Sequence, residues 1–257
     1  MATVHHDIVL HTASRATHRA RIARELRQCA ALPRNLDAIL AAVDDTDSSV
    51  ADVARLVERD QVLTGRAMRL ARSSFYGARS GALRSVHDVV TMLGIHGVRT
   101  LALSTAVVGM PRPTPWPYTH GGFFRHSLLV GELCRKASRL YPQSSSLAYL
   151  AGLMHDIGQC LPQPGMSHGE VGGVIAETWR LPDAVAEAVR FHHHPGWNQL
   201  ALTVSAADHL ASSIGFGLLE PLDTAEGCED VLLTVERLEP LLPACIDYVD
   251  EITDVLA

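Results

Sequence analysis

A histidine and an aspartate stand side by side at the end of an apolar run, in Leu150-Ala-Gly-Leu-Met-His-Asp-Ile-Gly158. Taking an imidazole and a carboxylate out of water is costly unless something pairs with them, and a metal ion is a strong partner for both. Candidates to complete such a set recur along the chain as His126, His168, His192, His193 and Asp208. His126, His155, Asp156 and Asp208 would supply two neutral imidazoles and two carboxylates, a borderline-to-hard set suited to divalent Mn, Fe, Zn or Mg. His168, His192 and His193 could take a second ion, with Asp156 bridging. Taken singly, each histidine has a plainer reading as a hydrogen-bonded interior or surface residue. The argument for a metal centre lies in the set, because four separate helical segments each put a His or Asp in an apolar or helix-end setting. His194 and His209 read as bystanders, as do His5, His6, His11, His18, His87, His96 and His120.

The elements that must bring these residues together read as helices throughout, and the fold class expected is all-α. A helix is expected over about 14–30, after which Leu32-Pro33 punctuates the chain. Leu36, Ile39, Leu40 and Val43 have helical spacing, and Asp44 to Ser49 offers N-caps for a helix with Val50, Val53, Ala54, Leu56 and Val57 inward. Asp60 to Thr64 introduces another, ending at Phe75-Tyr76-Gly77. Ser85 to Leu93 and Val98 to Val108 read as two helices separated by a tight turn at Gly94-Ile95-His96-Gly97. Met110 to Pro117 holds four prolines and can be neither helix nor central strand, so a module boundary is expected there. Helices follow near 121–140, 145–158, 167–179, 182–193 and 198–215. Residues 223–257 carry ten acidic residues and a single arginine, Arg237. A helix pair built on Val231, Leu232, Leu238, Leu241, Leu242, Ile246 and Val249 is expected there, with its acidic face in solvent.

Composition narrows the functional classes. The 257 residues are 47% hydrophobic and 19% charged, which suits a packed globular chain. A net charge of −6 gives no general electrostatic case for nucleic-acid binding, and none is expected. The five cysteines are scattered and form no Cys-x-x-Cys, so they read as reduced thiols in a cytoplasmic protein. The N-terminus lacks a basic flank followed by an apolar core, and no stretch approaches the ~20 continuous apolar residues of a membrane span.

The pattern His126…His155-Asp156…Asp208 resembles the HD superfamily of metal-dependent phosphohydrolases, and the further strings resemble its HDOD (HD-related output domain) branch. Those strings include Val53-Ala54…Val57-Glu58-Arg59-Asp60, Ala67 to Gly77, Ser85-Val86…Met92-Leu93-Gly94, Phe124-Arg125-His126-Ser127, His168-Gly-Glu170 and Leu181-Pro182 leading to His192-His193. The resemblance covers roughly residues 30–215. It implies an N-terminal arm (1–29), an N-terminal helical module (30–110) packed on an HD-type bundle (118–215), and an acidic extension (216–257). It also implies a signalling or regulatory output role. Many members of that branch have lost the ligands, whereas this chain keeps the full His/Asp set. It departs from the Gly-Tyr-Pro branch that cleaves cyclic dinucleotides, because no Gly-Tyr-Pro follows the motif. Gln159 also stands where that motif has a lysine able to contact phosphate. The connection from Asp156 to His168 is shorter than the family pattern, which could reposition His168.

Three functional classes follow. The first is a signalling module with a retained metal site, binding a signalling protein partner or a nucleotide-type ligand. The second is a metal-dependent phosphohydrolase acting on a nucleotide or cyclic dinucleotide, with His155 and Asp156 as the catalytic pair. In it, Arg125 and Arg190 are candidate phosphate clamps, with pairing to surface acids as the alternative. The third is a structural adaptor whose acidic tail docks elsewhere. The expected cofactor is a divalent metal (Fe, Mn, Mg or Zn), and no membrane partner is expected.

Overall fold

A computed structural model describes residues 17, 19–26, 35–73, 76, 83, 85–110, 122–138, 144–161, 165–217 and 228–256. Leu32-Pro33, the prolines between 111 and 117, Pro162, Pro164, Cys29 and the Gly77 helix end lie outside the described residues. So do five of the bystander histidines, His5, His6, His11, His18 and His120. Among the described residues there is no strand. The helices are α1 (19–26), α2 (Leu36–Asp44), α3 (Val50–Glu58), α4 (Gln61–Ala71), α5 (Val86–Gly109), α6 (Gly122–Ala137) and α7 (Ser145–Met154). A 3₁₀ turn (Ile157–Cys160) leads to α8 (His168–Thr178), α9 (Asp183–Phe191), α10 (Gln199–Ser213), α11 (Cys228–Leu238) and α12 (Leu242–Leu256).

Local chemistry fixes where these helices begin. Ser49 and Asp52 form a reciprocal capping box at the start of α3, as do Ser85 and Asp88 for α5 and Ser167 and Glu170 for α8. Each box satisfies two backbone N–H groups that a helix start leaves without intrahelical partners. The Asp60 side chain accepts from Leu63 N–H at 2.9 Å to open α4. The Asn198 side chain accepts from Leu200 and Ala201 N–H to open α10.

Two expectations from sequence need correction. The Gly94–Gly97 segment is no four-residue turn: α5 runs 24 residues and is interrupted only at Gly94, whose φ of 71° and ψ of 165° kink the axis before the helix resumes. Glycine alone takes that backbone conformation without strain. The resulting helix is long and apolar enough to reach a membrane-spanning length by composition, yet it packs as a core element against α2, α3 and α4. In α11, Leu232 is not part of the core. It is 46% exposed, while Val231 and Leu238 are buried.

One contiguous apolar core runs from Ile22 in α1 to Ile252 in α12. Its densest contact is between α6 and α7. There Gly152 lets the two backbones nearly touch, since a Cβ at that position would lie 2.7 Å from the Val130 carbonyl oxygen and 2.8 Å from Gly131 Cα. Helix α6 is so enclosed that even Glu132 is buried, and its charge is met by the Arg135 guanidinium at 2.6 and 2.7 Å. Helix α12 lies against both α6 and α4, with Cys245, Val249 and Ile252 inward and Asp247 and Asp250 toward solvent. Cys134, Cys160 and Cys245 are buried and form no disulfide with one another.

Gly152→Ala forces α6 and α7 apart, and we expect it to destabilise the chain by about 1–3 kcal/mol, the range for overpacking a tight interior. Urea unfolding of the two proteins measures this; a loss under ~0.5 kcal/mol would mean that the contact is dispensable.

Candidate metal centre

The seven candidate residues arrive from five helices and converge. His126 lies in the first two turns of α6, His155 follows the last residue of α7, and Asp156 precedes the 3₁₀ turn. His168 is the first residue of α8, His192 and His193 follow α9, and Asp208 sits within α10. Two groups form whose donor atoms lie within 4.8 Å of one another: His126, His155 and Asp208 in one, and Asp156, His168, His192 and His193 in the other. Either group has the composition to hold a metal ion. They adjoin, with the His155 and His192 rings 5.1 Å apart between centroids.

Asp156 stands between them, and its two oxygens divide the work. Oδ2 faces the first group, 3.5 Å from His155 Nε2 and 3.8 Å from His126 Nε2. Oδ1 faces the second, 3.2 Å from His168 Nε2 and 3.7 Å from His192 Nε2. Asp208 Oδ1 closes the first group at 3.2 Å from His126 Nε2 and 3.7 Å from His155 Nε2.

The tautomers follow from the backbone. His155 Nδ1 lies 2.7 Å from the Gly152 carbonyl oxygen, and His192 Nδ1 lies 2.7 Å from that of Val189. A carbonyl only accepts, so each Nδ1 carries the hydrogen and donates it, and each Nε2 is turned into the cluster. An imidazole oriented from behind in this way is the usual arrangement of a metal-ligating histidine. His126 and His155 then meet Nε2 to Nε2 at 3.1 Å, and His168 meets His192 at 3.3 Å and His193 at 2.8 Å, again through Nε2. Two such nitrogens repel unless a proton or a cation lies between them. Nitrogens bound at right angles to one ion at ~2.1 Å stand about 3 Å apart, so the donor set fits a divalent metal.

Electrostatics say the same of the metal-free cluster. Burial works against the His155 imidazolium, but Asp156 and Asp208 outweigh it and lift its pKa to about 9. Burial pushes the Asp156 carboxyl up, but the adjoining His155 and His168 hold it well below the ordinary carboxylate range. Asp208 is held far down in the same way, with His126 and His155 opposing its burial. His192 is driven the other way, well below an ordinary imidazole, first by burial and then by the cationic neighbours His155 and His193. The cluster thus stores positive charge near His155 and keeps His192 neutral. Its open side is at Asp208 and His168, whose side chains are 20% and 14% exposed.

The short connection after Asp156 does not displace His168. Gly158 allows it to close in, because a Cβ there would sit 1.9 Å from the His168 carbonyl oxygen. The glycine of the His-Asp-x-Gly string therefore brings the α8 N-terminus onto the aspartate. The candidate phosphate clamps are engaged elsewhere. Arg125 pairs with Asp250 of α12 at 2.5 Å and lies 5.4 Å from the Phe216 ring centroid, and Arg190 pairs with Glu177 at 2.7 Å. The described bystanders His87, His96, His194 and His209 belong to neither group. Sequence spacing gave no sign of Gly217. Its backbone lies against the His126 ring, where a Cβ would meet Nδ1 at 2.7 Å.

Comparison with known proteins agrees with this picture. The family model described as the HDOD domain matches residues 29–163, and that of the HD domain matches residues 123–213. The chain is 22% identical over 205 residues to an uncharacterized protein of Treponema pallidum (strain Nichols), covering 68% of this chain and 39% of that one. It is 31% identical over 119 residues to ribonuclease Y of Lactobacillus gasseri, covering 45% of this chain and 21% of the relative. The chain thus spans about two fifths of the first relative and one fifth of the second. Among solved structures, it is similar to a protein of Shewanella amazonensis SB2B provisionally named a phosphohydrolase (TM-score 0.66, 20% identity, 92% of this chain and 98% of that one). It is also similar to an HDOD domain protein of unknown function from Geobacter sulfurreducens (TM-score 0.63, 22% identity, 94% and 98%). At these identities the two structures speak to fold alone.

Two outcomes follow. A proton occupies His155 at pH 7, so metal uptake must release it, and affinity should rise with pH until about 9. Titration calorimetry with Mn²⁺ in two buffers of different ionisation enthalpy reads the proton; equal heats would refute it. Gly217→Ala should crowd His126 and weaken binding in the first group on the order of 10-fold while sparing the second, read by metal titration.

Proposed function

The chain belongs to the HDOD domain family, and on that premise we propose that it is a bacterial signalling or regulatory module. In this reading it carries a divalent-metal centre and binds a partner protein or a small nucleotide-type ligand. The observation that carries the metal centre is the carboxylate of Asp156, which turns one oxygen to each of two histidine groups. His126, His155 and Asp208 would hold one ion, and His168, His192 and His193 the other, with Asp156 shared. Three imidazoles in the second group favour Fe, Mn or Zn there over Mg, which prefers oxygen.

The regulatory reading draws its support from the cations. Phosphoryl transfer needs positive charge placed against developing charge on oxygen. Arg125 and Arg190 are both committed to carboxylates, and Gln159 brings no charge. A metal centre whose two candidate clamps, among the described residues, are held by carboxylates suits ligand sensing or structural control better than rapid turnover.

The second reading, hydrolysis of a phosphodiester in a nucleotide or cyclic dinucleotide, is favoured by one feature, the bridging position of Asp156. Divalent ions in the centre would supply Lewis acidity to a phosphoryl group. The residues' own part would be to orient: the Gly152 and Val189 carbonyls fix the His155 and His192 rings, and the open edge at Asp208 and His168 admits the substrate.

Metal analysis of protein purified without chelator tests both. We expect bound Fe, Mn or Zn, lost in His155→Ala and Asp156→Ala, with thermal unfolding as the control for folding. Little or no turnover of cyclic dinucleotides, nucleotide phosphodiesters or short RNA with Mn²⁺ or Fe²⁺ is the regulatory outcome. Robust hydrolysis that falls by ~10²-fold or more in Asp156→Ala establishes the second reading instead. Metal-free protein that takes up no added ion would defeat both.

A further inference from the structure

Away from the histidine cluster, one surface differs from an ordinary solvated face. Trp197, in the turn from α9 to α10, is fully exposed, and Leu233 and Leu232 of α11 are 54% and 46% exposed. Trp197, Leu202 and Leu233 line a groove of about 270 Å³ between that turn and α11, with Asp230 also in its wall. Large apolar side chains gathered in this way, with tryptophan foremost, mark protein interfaces rather than water-facing surface.

The charges around these leucines have one dominant sign. Glu229, Leu232, Leu233 and Glu236 recur at i, i+3, i+4 and i+7 and form an exposed stripe of α11, and Glu239 stands exposed just beyond its end. The helix has its packed side elsewhere, since Val231, Thr234 and Leu238 are buried and α11 lies along α10. The stripe is therefore additional to what the chain's own core needs. With Asp230 in the groove wall, carboxylates flank the leucines at both ends. The one base of α11, Arg237, lies in the last turn, where it complements the carbonyl end of the helix, and it is already engaged in an interaction within the chain.

That sign selects the occupant. A second copy laid along the stripe, parallel or antiparallel, would set glutamate against glutamate. Nucleic acid and anionic lipid carry the same charge as the rim and are repelled by it. A segment with bases on either side of an apolar row answers both features at once. Its apolar side chains fill the groove against Trp197 and Leu233, and its bases meet Glu229, Asp230 and Glu236. The stripe repeats at the helical period over about 10 Å, at 1.5 Å per residue, so the element that matches it is a helix laid along α11. We propose that this face is the docking site for a basic amphipathic helix of a partner protein, with an apolar residue of that helix seated beside Trp197. The inference gives a surface and a chemistry to the partner of the regulatory reading, and rests on that reading only for there being a partner. The histidine groups take no part in it, so its failure leaves the metal analysis above untouched.

Fluorescence anisotropy with the full chain tests the proposal, using labelled peptides of about 18 residues, or five helical turns. One peptide has leucine and lysine at helical spacing, one has the same composition scrambled out of that spacing, and one has glutamate in place of each lysine. The first is expected to bind in the micromolar range and the other two at least about 10-fold more weakly. Trp197→Ala and Leu233→Ala should each weaken binding of the first by about 10-fold. Glu229→Lys/Glu236→Lys should weaken it as much, whereas Asp47→Lys/Glu58→Lys, which changes the net charge equally at exposed positions of the N-terminal module, should leave it unchanged. Glu236→Lys alone, which complements the carbonyl end of α11, gives the same reading should Glu229→Lys unfold the helix start. Circular dichroism confirms that each variant is folded, and sedimentation velocity reports self-association. A wild type that does not bind the leucine–lysine peptide at about 100 µM overturns the proposal. Equal losses in the two double variants overturn it as well, because net charge alone would then explain binding, and so does binding unaffected by Trp197→Ala and Leu233→Ala. A dimer that shuts the peptide out and is broken by Trp197→Ala would give the face to a second copy instead.

Discussion

A carboxylate that is 4% exposed inside a helical bundle needs positive charge beside it, and much of this structure can be understood as meeting that need at Asp156. The compensation comes from His155, its neighbour in sequence, and from histidines on three further helices, which close backbone approaches help to bring in. Gly152 brings α7 onto α6, and Gly158 brings the start of α8 onto the turn that holds the aspartate. The histidines in turn depend on Asp156 and Asp208, because His126, His155 and His192 are themselves buried. Removing either partner leaves the other as an unpaired group in a dry interior, so the cluster is held together by mutual necessity as much as by any ion.

The polarity of the cluster is uneven in a useful way. Positive charge collects at His155, while burial, reinforced by the charged neighbours His155 and His193, keeps the equally buried His192 neutral. The carbonyls of Gly152 and Val189 fix both rings in the same tautomer, so the difference arises from position relative to the two carboxylates rather than from the hydrogen bonds behind the rings. Meanwhile the nearby arginines face away into ion pairs. Arg125 in particular is adjacent to His126 in sequence and is bound to Asp250 at the far end of the chain. The acidic C-terminal helix is thus more than a solvated appendage: it packs on α6 and α4 and holds a residue next to the centre.

Most of the helical architecture was readable from periodicity and caps. Ser49 and Asp60 start helices where the run of short polar residues and the Asp-Gln-Val-Leu string suggested. The departures have local causes. Two glycines in four residues usually break a helix, yet at Gly94 one left-handed residue bends α5 without ending it. Leucine normally belongs to a core, but the apolar identity of Leu232 does not tell which side of a helix has a neighbour.

The sequence by itself determined which side chains could form the centre, because only histidines and aspartates in apolar settings raise the question of a partner, and seven of them do. It also determined that the elements would be helices. Tertiary structure decided the pairing: that Asp156 would face two groups rather than one, that His168 would close in despite a short connection, and that Arg125 and Arg190 would be spent on Asp250 and Glu177. It also left Trp197 and Leu233 uncovered. The division has a physical reason. Side-chain type and helical period are local properties, fixed within a few residues, whereas the direction of a carboxylate oxygen or the partner of a guanidinium depends on helices distant in sequence and on how closely their backbones can approach.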